Sequence, residues 1–313
     1  MINRNIMTDQ VRKILECYKG ENTGVLTNLS RILNHGRLAG TGRMIILPVD
    51  QGFEHGPARS FAPNPPSYDP AYHFQLAIDA GLNAHASLLG SLEAVAAEFA
   101  GEIPLILKLN SHDLLHSEDD PLGAQTASVA DALRLGCVGV GYTIYPGTAE
   151  RRIQYEQFRE LTEEAKAAGL VVVVWAYPRG GGLSKEGETA LDVTAYAAQI
   201  AAQLGAHIIK IKLPSAHLEL KEAKKVYEEQ LIPRETLTER VRHVVQSTFN
   251  GRRIVIFSGG ARMDDAALLD EVRAIHGGGG FGSIIGRNSF QRDRAAALNI
   301  LDKMIRIYKG ETL

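Results

Sequence analysis

Two lysines lie two residues apart in the apolar run His207-Ile208-Ile209-Lys210-Ile211-Lys212-Leu213. Side chains alternate across a β-strand, so Lys210 and Lys212 share one face of it. Burying an ammonium group is costly, and burial near other cations lowers the pKa of a lysine. Since a neutral amine attacks carbonyls, this strand predicts a Schiff-base lysine. The alternative is a strand end whose lysines extend to solvent, and parity does not choose between the two lysines.

Polar residues or glycines also follow most of the other apolar runs. They are Asp50, Lys108, Trp175, Tyr177, Arg179, Ser258, Gly259, Gly260, Gly286 and Arg287. Trp175, Tyr177 and Arg179 alternate and therefore share one strand face, which predicts the Tyr177 phenol one strand away from Lys210. A single polar residue at a strand end is often a cap for the next turn, as Asp50 alone could be. Six such ends at once indicate a site.

The glycine-containing ends predict a phosphate site. Glycine lets the backbone N–H groups of Ser258-Gly259-Gly260 and Gly286-Arg287 approach an anion, and a following helix N-terminus would reinforce them. Arg287 could add a charge-assisted contact. The alternative is that these glycines only form tight turns.

Metal and thiol chemistry are not predicted. His112 and His116 stand four residues apart, but Asp113 is a poor substitute for the glutamate of a zinc helix. Neither Cys17 nor Cys137 follows an apolar run beside a histidine. Two cysteines are too few for a disulfide framework.

Eight apolar runs alternate with eight amphipathic segments. The runs are Met44–Asp50, His85–Leu89, Leu105–Asn110, Val138–Tyr145, Val171–Tyr177, His207–Leu213, Arg253–Ser258 and Gly282–Gly286. The helical segments are Tyr72–Ala80, Leu92–Phe99, Ala124–Leu135, Ala149–Ala168, Thr189–Leu204, Leu237–Thr248, Asp264–Ile275 and Asp293–Tyr308. This alternation predicts an α/β protein with a (β/α)8 TIM barrel, whose active site lies at the carboxyl ends of the strands. An open doubly wound sheet is the alternative, but no G-x-G-x-x-G turn follows the first run.

Two segments stand outside the repeat, an N-terminal helical extension over residues 1–43 and a charged helical insertion over about 215–233. Residues 1–313 are predicted to form a single domain. A net charge of −2 predicts no attraction to nucleic acid or to an anionic membrane. With no apolar stretch long enough to span a bilayer, we expect a cytoplasmic protein.

Six segments together resemble the archaeal-type (DhnA/FbaB-like) class I fructose-bisphosphate aldolases. They are Gly36-Arg37-Leu38-Ala39-Gly40-Thr41-Gly42, Leu47-Pro48-Val49-Asp50-Gln51-Gly52 with Glu54-His55, Trp175-Ala176-Tyr177, Ile208-Ile209-Lys210 with Lys212, Ser258-Gly259-Gly260 and Gly286-Arg287. The resemblance runs in order from about residue 36 to the C-terminus. It implies a lyase of glycolysis and gluconeogenesis that needs no metal or other cofactor, and a phosphorylated sugar as substrate. It also implies a homo-oligomer, with a decamer as one candidate.

The resemblance assigns roles residue by residue. It implies that Lys210 forms the Schiff base, that Tyr177 is the acid and base, and that Asp50 assists them. Lys108, Trp175, Arg179, Lys212, Ser258, Gly259, Gly260, Gly286 and Arg287 are then implied to contact the substrate. The reaction is reversible cleavage of fructose 1,6-bisphosphate to dihydroxyacetone phosphate and glyceraldehyde 3-phosphate. Two alternatives are a related aldolase or transaldolase acting on another phosphosugar, and a sugar-phosphate-binding regulator with a degenerate site.

Overall fold

The computed structural model describes residues 7–116, 119–260 and 262–312, so the first six residues of the predicted extension lie outside the described part. Its strands are β1 Met44–Val49, β2 Ala84–Ser87, β3 Leu105–Lys108, β4 Asn110–Ser111, β5 Ala124–Gln125, β6 Gly139–Ile144, β7 Val171–Ala176, β8 Ile208–Lys212, β9 Ile254–Ser258 and β10 Gly282–Ile284. All except β4 and β5 form a closed parallel barrel in which β10 pairs with β1. The predicted (β/α)8 barrel is confirmed, and closure excludes the open sheet.

Helices surround the barrel and connect its strands. They are α1 Asp9–Glu16, α2 Thr23–Leu33, α3 Gln51–His55, α4 Pro57–Phe61, α5 Pro70–Ala80, α6 Leu89–Val95, α7 Val129–Arg134, α8 Arg151–Ala167, α9 Leu191–Gln203, α10 Lys221–Glu229, α11 Leu237–Gln246, α12 Asp265–Gly277, α13 Arg287–Phe290 and α14 Arg294–Tyr308. Short 3-10 helices span Pro65–Tyr68, Ala96–Phe99 and Gly187–Thr189. The helical extension is α1 and α2, and the charged insertion contains α10, as predicted.

The barrel interior follows strand parity. Ile106, Val173, Ile208 and Ile256 belong to one buried apolar cluster, which the N-terminal helices extend with residues such as Ile14. The residues two further along the same strands therefore point into the same interior, higher up. The alternation of side chains along the strands thus places the predicted polar side chains at one end of the barrel, while α1 and α2 pack against the other end.

One predicted helix is wrong in part. The sequence predicts a helix throughout Ala124–Leu135, but Ala124–Gln125 pairs in antiparallel fashion with Asn110–Ser111. The helix begins only after Ser128, whose hydroxyl accepts from the Asp131 backbone while the Asp131 carboxylate accepts from the Ser128 backbone. This capping box fixes the start of α7. None of the helices in the described ranges is long and apolar enough to cross a bilayer.

Candidate active site

A cavity of about 100 Å³ lies at the carboxyl ends of the barrel strands. Ten of the twelve predicted site residues line it, namely Asp50, Tyr177, Arg179, Lys210, Lys212, Ser258, Gly259, Gly260, Gly286 and Arg287. The other two, Lys108 and Trp175, do not line it but are buried beside Asp50 and Lys210, which do. A larger groove of about 1030 Å³ lies at the opposite end, but its wall is largely apolar and contains none of the predicted residues.

Lys210 is buried in the middle of β8, with its Nζ 5.2 Å from the Trp175 ring centroid and 5.3 Å from that of Tyr177. Within the described ranges, no carboxylate lies within ion-pair distance of this amine. Burial, partly offset by Asp50 and Glu54, lowers the pKa of Lys210 to about 8. Lys210 therefore does not extend to solvent, and the cation that adds to the shift is Arg287 rather than another lysine.

Lys212 lies two residues further along the same face and has different surroundings. Its Nζ is 3.3 Å from a carboxylate oxygen of Glu188, and its side chain is 29% exposed. A paired ammonium at the cavity mouth stays charged more readily than a buried one without a partner. The structure therefore separates the two lysines that strand parity left equivalent.

Asp50 and Lys108 form a buried ion pair beneath Lys210. The Lys108 Nζ lies 3.5 Å from Asp50 Oδ2, and both side chains are at most 6% exposed. Burial acts against the Asp50 charge, but Lys108 and Lys210 outweigh it and hold the pKa of Asp50 below its usual range. Although Asp50 occupies the N-cap position of α3, its side chain makes no capping hydrogen bond, which excludes the simple cap.

Trp175 and Tyr177 form an aromatic wall beside Lys210. Trp175 pairs in register with Lys210, and the absence of a side chain at Gly141 makes room for the indole. Burial, reinforced by Glu54 and Asp50, raises the pKa of Tyr177, so its phenol is protonated at neutral pH. The predicted placement of Tyr177 one strand from Lys210 is confirmed.

The glycine-containing ends meet across the cavity. Gly260 has a positive φ of 62°, and a side chain at Gly286 would collide with Gln51 and the Pro48 carbonyl. Asn288 joins the two segments, since its Nδ2 donates to the Gly259 carbonyl at 3.0 Å and its Oδ1 accepts from the Met263 N–H at 2.9 Å. The helix α13 has only four residues, so the predicted dipole contribution is small.

Sequence reasoning missed four polar cavity residues, Gln51, Glu54, His55 and Asn288, besides the apolar Pro48, Ile284 and Ile285. In the sequence Glu54 contributes only to the motif that carries the family resemblance, although its position four residues after Asp50 on a helical turn returns it to the same side. Burial, with the Asp50 charge beside it, raises the pKa of Glu54 to about 7. Burial and Arg287 lower the pKa of His55 to about 4, so its imidazole is neutral at pH 7.

Comparisons with known proteins agree with this geometry. The sequence profile of the DeoC/LacD family aldolases matches residues 44–292. The fructose-bisphosphate aldolase class 1 of Thermoproteus tenax is 36% identical over 252 residues, which cover 80% of this chain and 84% of that protein. A probable fructose-bisphosphate aldolase class 1 of Chlamydia trachomatis is 35% identical over 301 residues, 93% of this chain and 86% of that protein.

Solved structures give the same result. An archaeal fructose-1,6-bisphosphate aldolase, with its catalytic lysine covalently bound to the carbinolamine intermediate of the substrate, superposes with a TM-score of 0.74. It is 32% identical, and the match covers 90% of this chain and 98% of that one. This chain therefore belongs to the DeoC/LacD family of aldolases, among the archaeal-type class I fructose-bisphosphate aldolases.

Proposed function

We propose that this protein cleaves fructose 1,6-bisphosphate reversibly into dihydroxyacetone phosphate and glyceraldehyde 3-phosphate through a Schiff base on Lys210. The observation that carries the proposal is a buried lysine with no carboxylate partner in the described residues, beside a phenol and lining a cavity rich in cations. The names of the relatives supply the substrate.

The first step is attack of the neutral Lys210 amine on the ketose carbonyl. With a pKa of about 8, about a tenth of this lysine is neutral at pH 7, against far below a hundredth for an exposed one. Loss of water from the resulting carbinolamine forms an iminium, which accepts the electron pair of the breaking C3–C4 bond. Trp175 would keep this iminium away from bulk water.

Tyr177 is the group proposed to move the proton at the C4 hydroxyl. In the free site its phenol is protonated, because burial and two carboxylates raise its pKa. The iminium on Lys210 then adds a fixed positive charge near the ring, which favours the phenolate that accepts a proton. Asp50, kept anionic by Lys108, would hold substrate hydroxyls or assist dehydration.

The substrate phosphates are proposed to bind at the rim of the cavity. Lys212, Arg179 and Arg287 supply the positive charge, and Ser258, Gly259, Gly260 and Gly286 supply backbone and hydroxyl donors. Lys108 and Trp175 act from beneath, on Asp50 and on Lys210. A phosphorylated sugar is thus the expected partner. From its likeness to the family we also propose that the protein is cytoplasmic and forms a homo-oligomer, with a decamer as one candidate. Light scattering measures the subunit number.

The experiment that tests the proposal is borohydride trapping with fructose 1,6-bisphosphate, followed by peptide mapping. We expect a covalent adduct on Lys210 that disappears in Lys210→Ala and persists in the matched control Lys212→Ala. An adduct on Lys212 would make the assignment wrong. A wild type that forms no adduct and loses activity with EDTA would contradict the Schiff-base mechanism.

Two further measurements test the other roles. Tyr177→Phe should keep the adduct while turnover falls by about 100-fold or more. A panel of phosphorylated ketoses and aldehydes tests the alternative of a related aldolase. One relative supports keeping this alternative, a protein of Methanocaldococcus jannaschii that is 27% identical and is named fructose-bisphosphate aldolase/6-deoxy-5-ketofructose 1-phosphate synthase. The regulator alternative predicted a missing lysine or tyrosine, and both line the cavity.

A further inference from the structure

The first residues of the charged insertion lie against the segment that holds Lys212, although the proposed mechanism gives the insertion no role. The segment is 184–190, which connects β7 to α9. Its Glu188 carboxylate lies 3.3 Å from the Lys212 Nζ, and the Glu188 side chain is only 15% exposed. A largely buried carboxylate therefore holds this ammonium at the mouth of the cavity.

Backbone groups of the insertion bond to the residues that follow Glu188. The Ser215 N–H donates to the Thr189 carbonyl at 2.7 Å. The Glu219 N–H donates at 3.1 Å to the buried carboxylate of Asp192, which lies in the first turn of α9. The start of the insertion is therefore fixed beside the segment that contains Glu188.

The Glu219 side chain ties the insertion to the residues before Glu188. Its carboxylate accepts from the Ser184 N–H at 2.8 Å and from the Ser184 hydroxyl at 2.9 Å. The Ser184 carbonyl in turn accepts from the Glu188 N–H at 3.2 Å. Gly187 packs closely on the same carboxylate, since a Cβ at this position would lie 2.5 Å from the Glu219 Cδ. Contacts therefore run without a break from Glu219 to Lys212.

We propose that Glu219 is a positioning residue, which holds Lys212 in place for a substrate phosphate by fixing Glu188. The inference rests on the proposed function, in which Lys212 supplies positive charge at the rim of the cavity. A lysine has a long, flexible side chain and loses conformational freedom when it binds an anion. If the side chain is already held before the substrate arrives, binding no longer has to order it.

The test is a double-mutant cycle on the KM for fructose 1,6-bisphosphate. Glu219 is replaced rather than Glu188, because loss of Glu188 would also remove a negative charge beside the phosphate. Glu219→Ala should raise KM by about 10-fold and keep kcat within about twofold. In a Lys212→Met background the same replacement should change KM by less than about twofold, because Glu219 then has no lysine to position.

Two further variants separate position from charge. Glu219→Gln keeps an acceptor oxygen for Ser184, so its KM should lie closer to the wild-type value than to that of Glu219→Ala. The matched control is Glu222→Ala, which removes an exposed carboxylate of the same insertion and should leave KM within about twofold.

Three results would overturn the role of Glu219. They are a wild-type KM in Glu219→Ala, an equal rise in KM with and without Lys212, and a Glu219→Gln variant as impaired as Glu219→Ala. A wild type that forms no Lys210 adduct with borohydride would instead overturn the proposed function.

Discussion

The two ends of strand β8 each hold buried ionisable groups, but the two groups of side chains differ in how fully they are hydrogen-bonded. At the amino end, Tyr18 Oη donates to the His207 carbonyl at 2.6 Å and accepts from the Ile254 N–H at 2.8 Å. Glu21 lies 3.2 Å from the His207 ring and 2.7 Å from the Lys166 ammonium.

Several buried polar atoms at the carboxyl end make no hydrogen bond within the part of the chain that the structure describes. They include Trp175 Nε1 and Gln51 Oε1. Lys108 Nζ is a third, and its nearest contact with a carboxylate is the longer ion pair of 3.5 Å with Asp50.

At the amino end His207 Nε2 and Arg253 Nε also make no hydrogen bond in the described ranges, but each of those two side chains forms one through another nitrogen. An unsatisfied buried group costs stability, whereas a satisfied one does not, and strain of this kind is concentrated at functional sites. We therefore expect the hydrogen-bonded groups at the amino end to stabilise the barrel. The groups without hydrogen bonds at the carboxyl end should lower the stability of the fold and serve catalysis instead.

Replacing Lys210 should give the largest effect and separates the two ends most sharply. Lys210→Met should lower aldol cleavage by at least about 10⁴-fold, because the nucleophile is lost. The free energy of unfolding should rise by about 1–3 kcal/mol at pH 7, because a buried ammonium disfavoured by its surroundings is removed. Chemical denaturation at one protein concentration measures this change. A large loss of stability would contradict the proposed division between the ends.

Tyr18→Phe tests the opposite end. It leaves the His207 carbonyl and the Ile254 N–H without their partner, so we expect the free energy of unfolding to fall by about 2–4 kcal/mol. The kcat should stay within about twofold, because Tyr18 lies at the far end of the barrel from the cavity. Tyr227→Phe is the matched control, since it removes a single side-chain bond to His243 and should cost only about 1 kcal/mol. A Tyr18→Phe variant of normal stability and low kcat would show that the ends are not separate.

Asn288→Ala should show a smaller effect, confined to the carboxyl end. Loss of its bonds to Gly259 and Met263 frees the two glycine segments to move apart, so we expect the KM for fructose 1,6-bisphosphate to rise by about 10-fold with a smaller change in kcat. Asn64→Ala is the control, because Asn64 also ties two segments together, through the Phe290 carbonyl, but does not line the cavity. Equal KM values for these two variants would remove Asn288 from its positioning role.

The smallest expected effect is a change in acid stability at the amino end. The polar contact with the His207 ring, helped by Lys166, lowers the pKa of Glu21 to about 2. A lowered carboxyl pKa contributes stability that is fully present above the unfolded-state value of about 4.5 and is lost as pH falls towards 2. Glu21→Gln should therefore be less stable than the wild type at pH 6 and should converge with it near pH 2. An unchanged gap at both pH values would rule this contribution out.

Much of the barrel could be predicted because its signals are local. Each of the eight apolar runs overlaps a barrel strand, and parity correctly predicted Tyr177 beside Lys210. The part of the predicted helix that failed, Ala124–Gln125, pairs with Asn110–Ser111 about fourteen residues away, and a local pattern does not encode that pairing.

The site was predicted only where its residues stand at strand ends. Parity left Lys210 and Lys212 equivalent, and the difference lies in Glu188, a residue from another connecting segment. Glu54 and Asn288 stand on short helical turns, so their approach to Lys108 and to Gly259 follows from closure of the barrel.

The sequence by itself determined which residues alternate along each strand, and hence that one end of a barrel would collect lysines, a phenol, a carboxylate and glycines. Only the tertiary structure decided which of these groups is charged. A pKa depends on burial and on neighbours a few ångströms away, and for Lys210, Asp50 and Glu54 those neighbours come from strands and turns far apart in the chain.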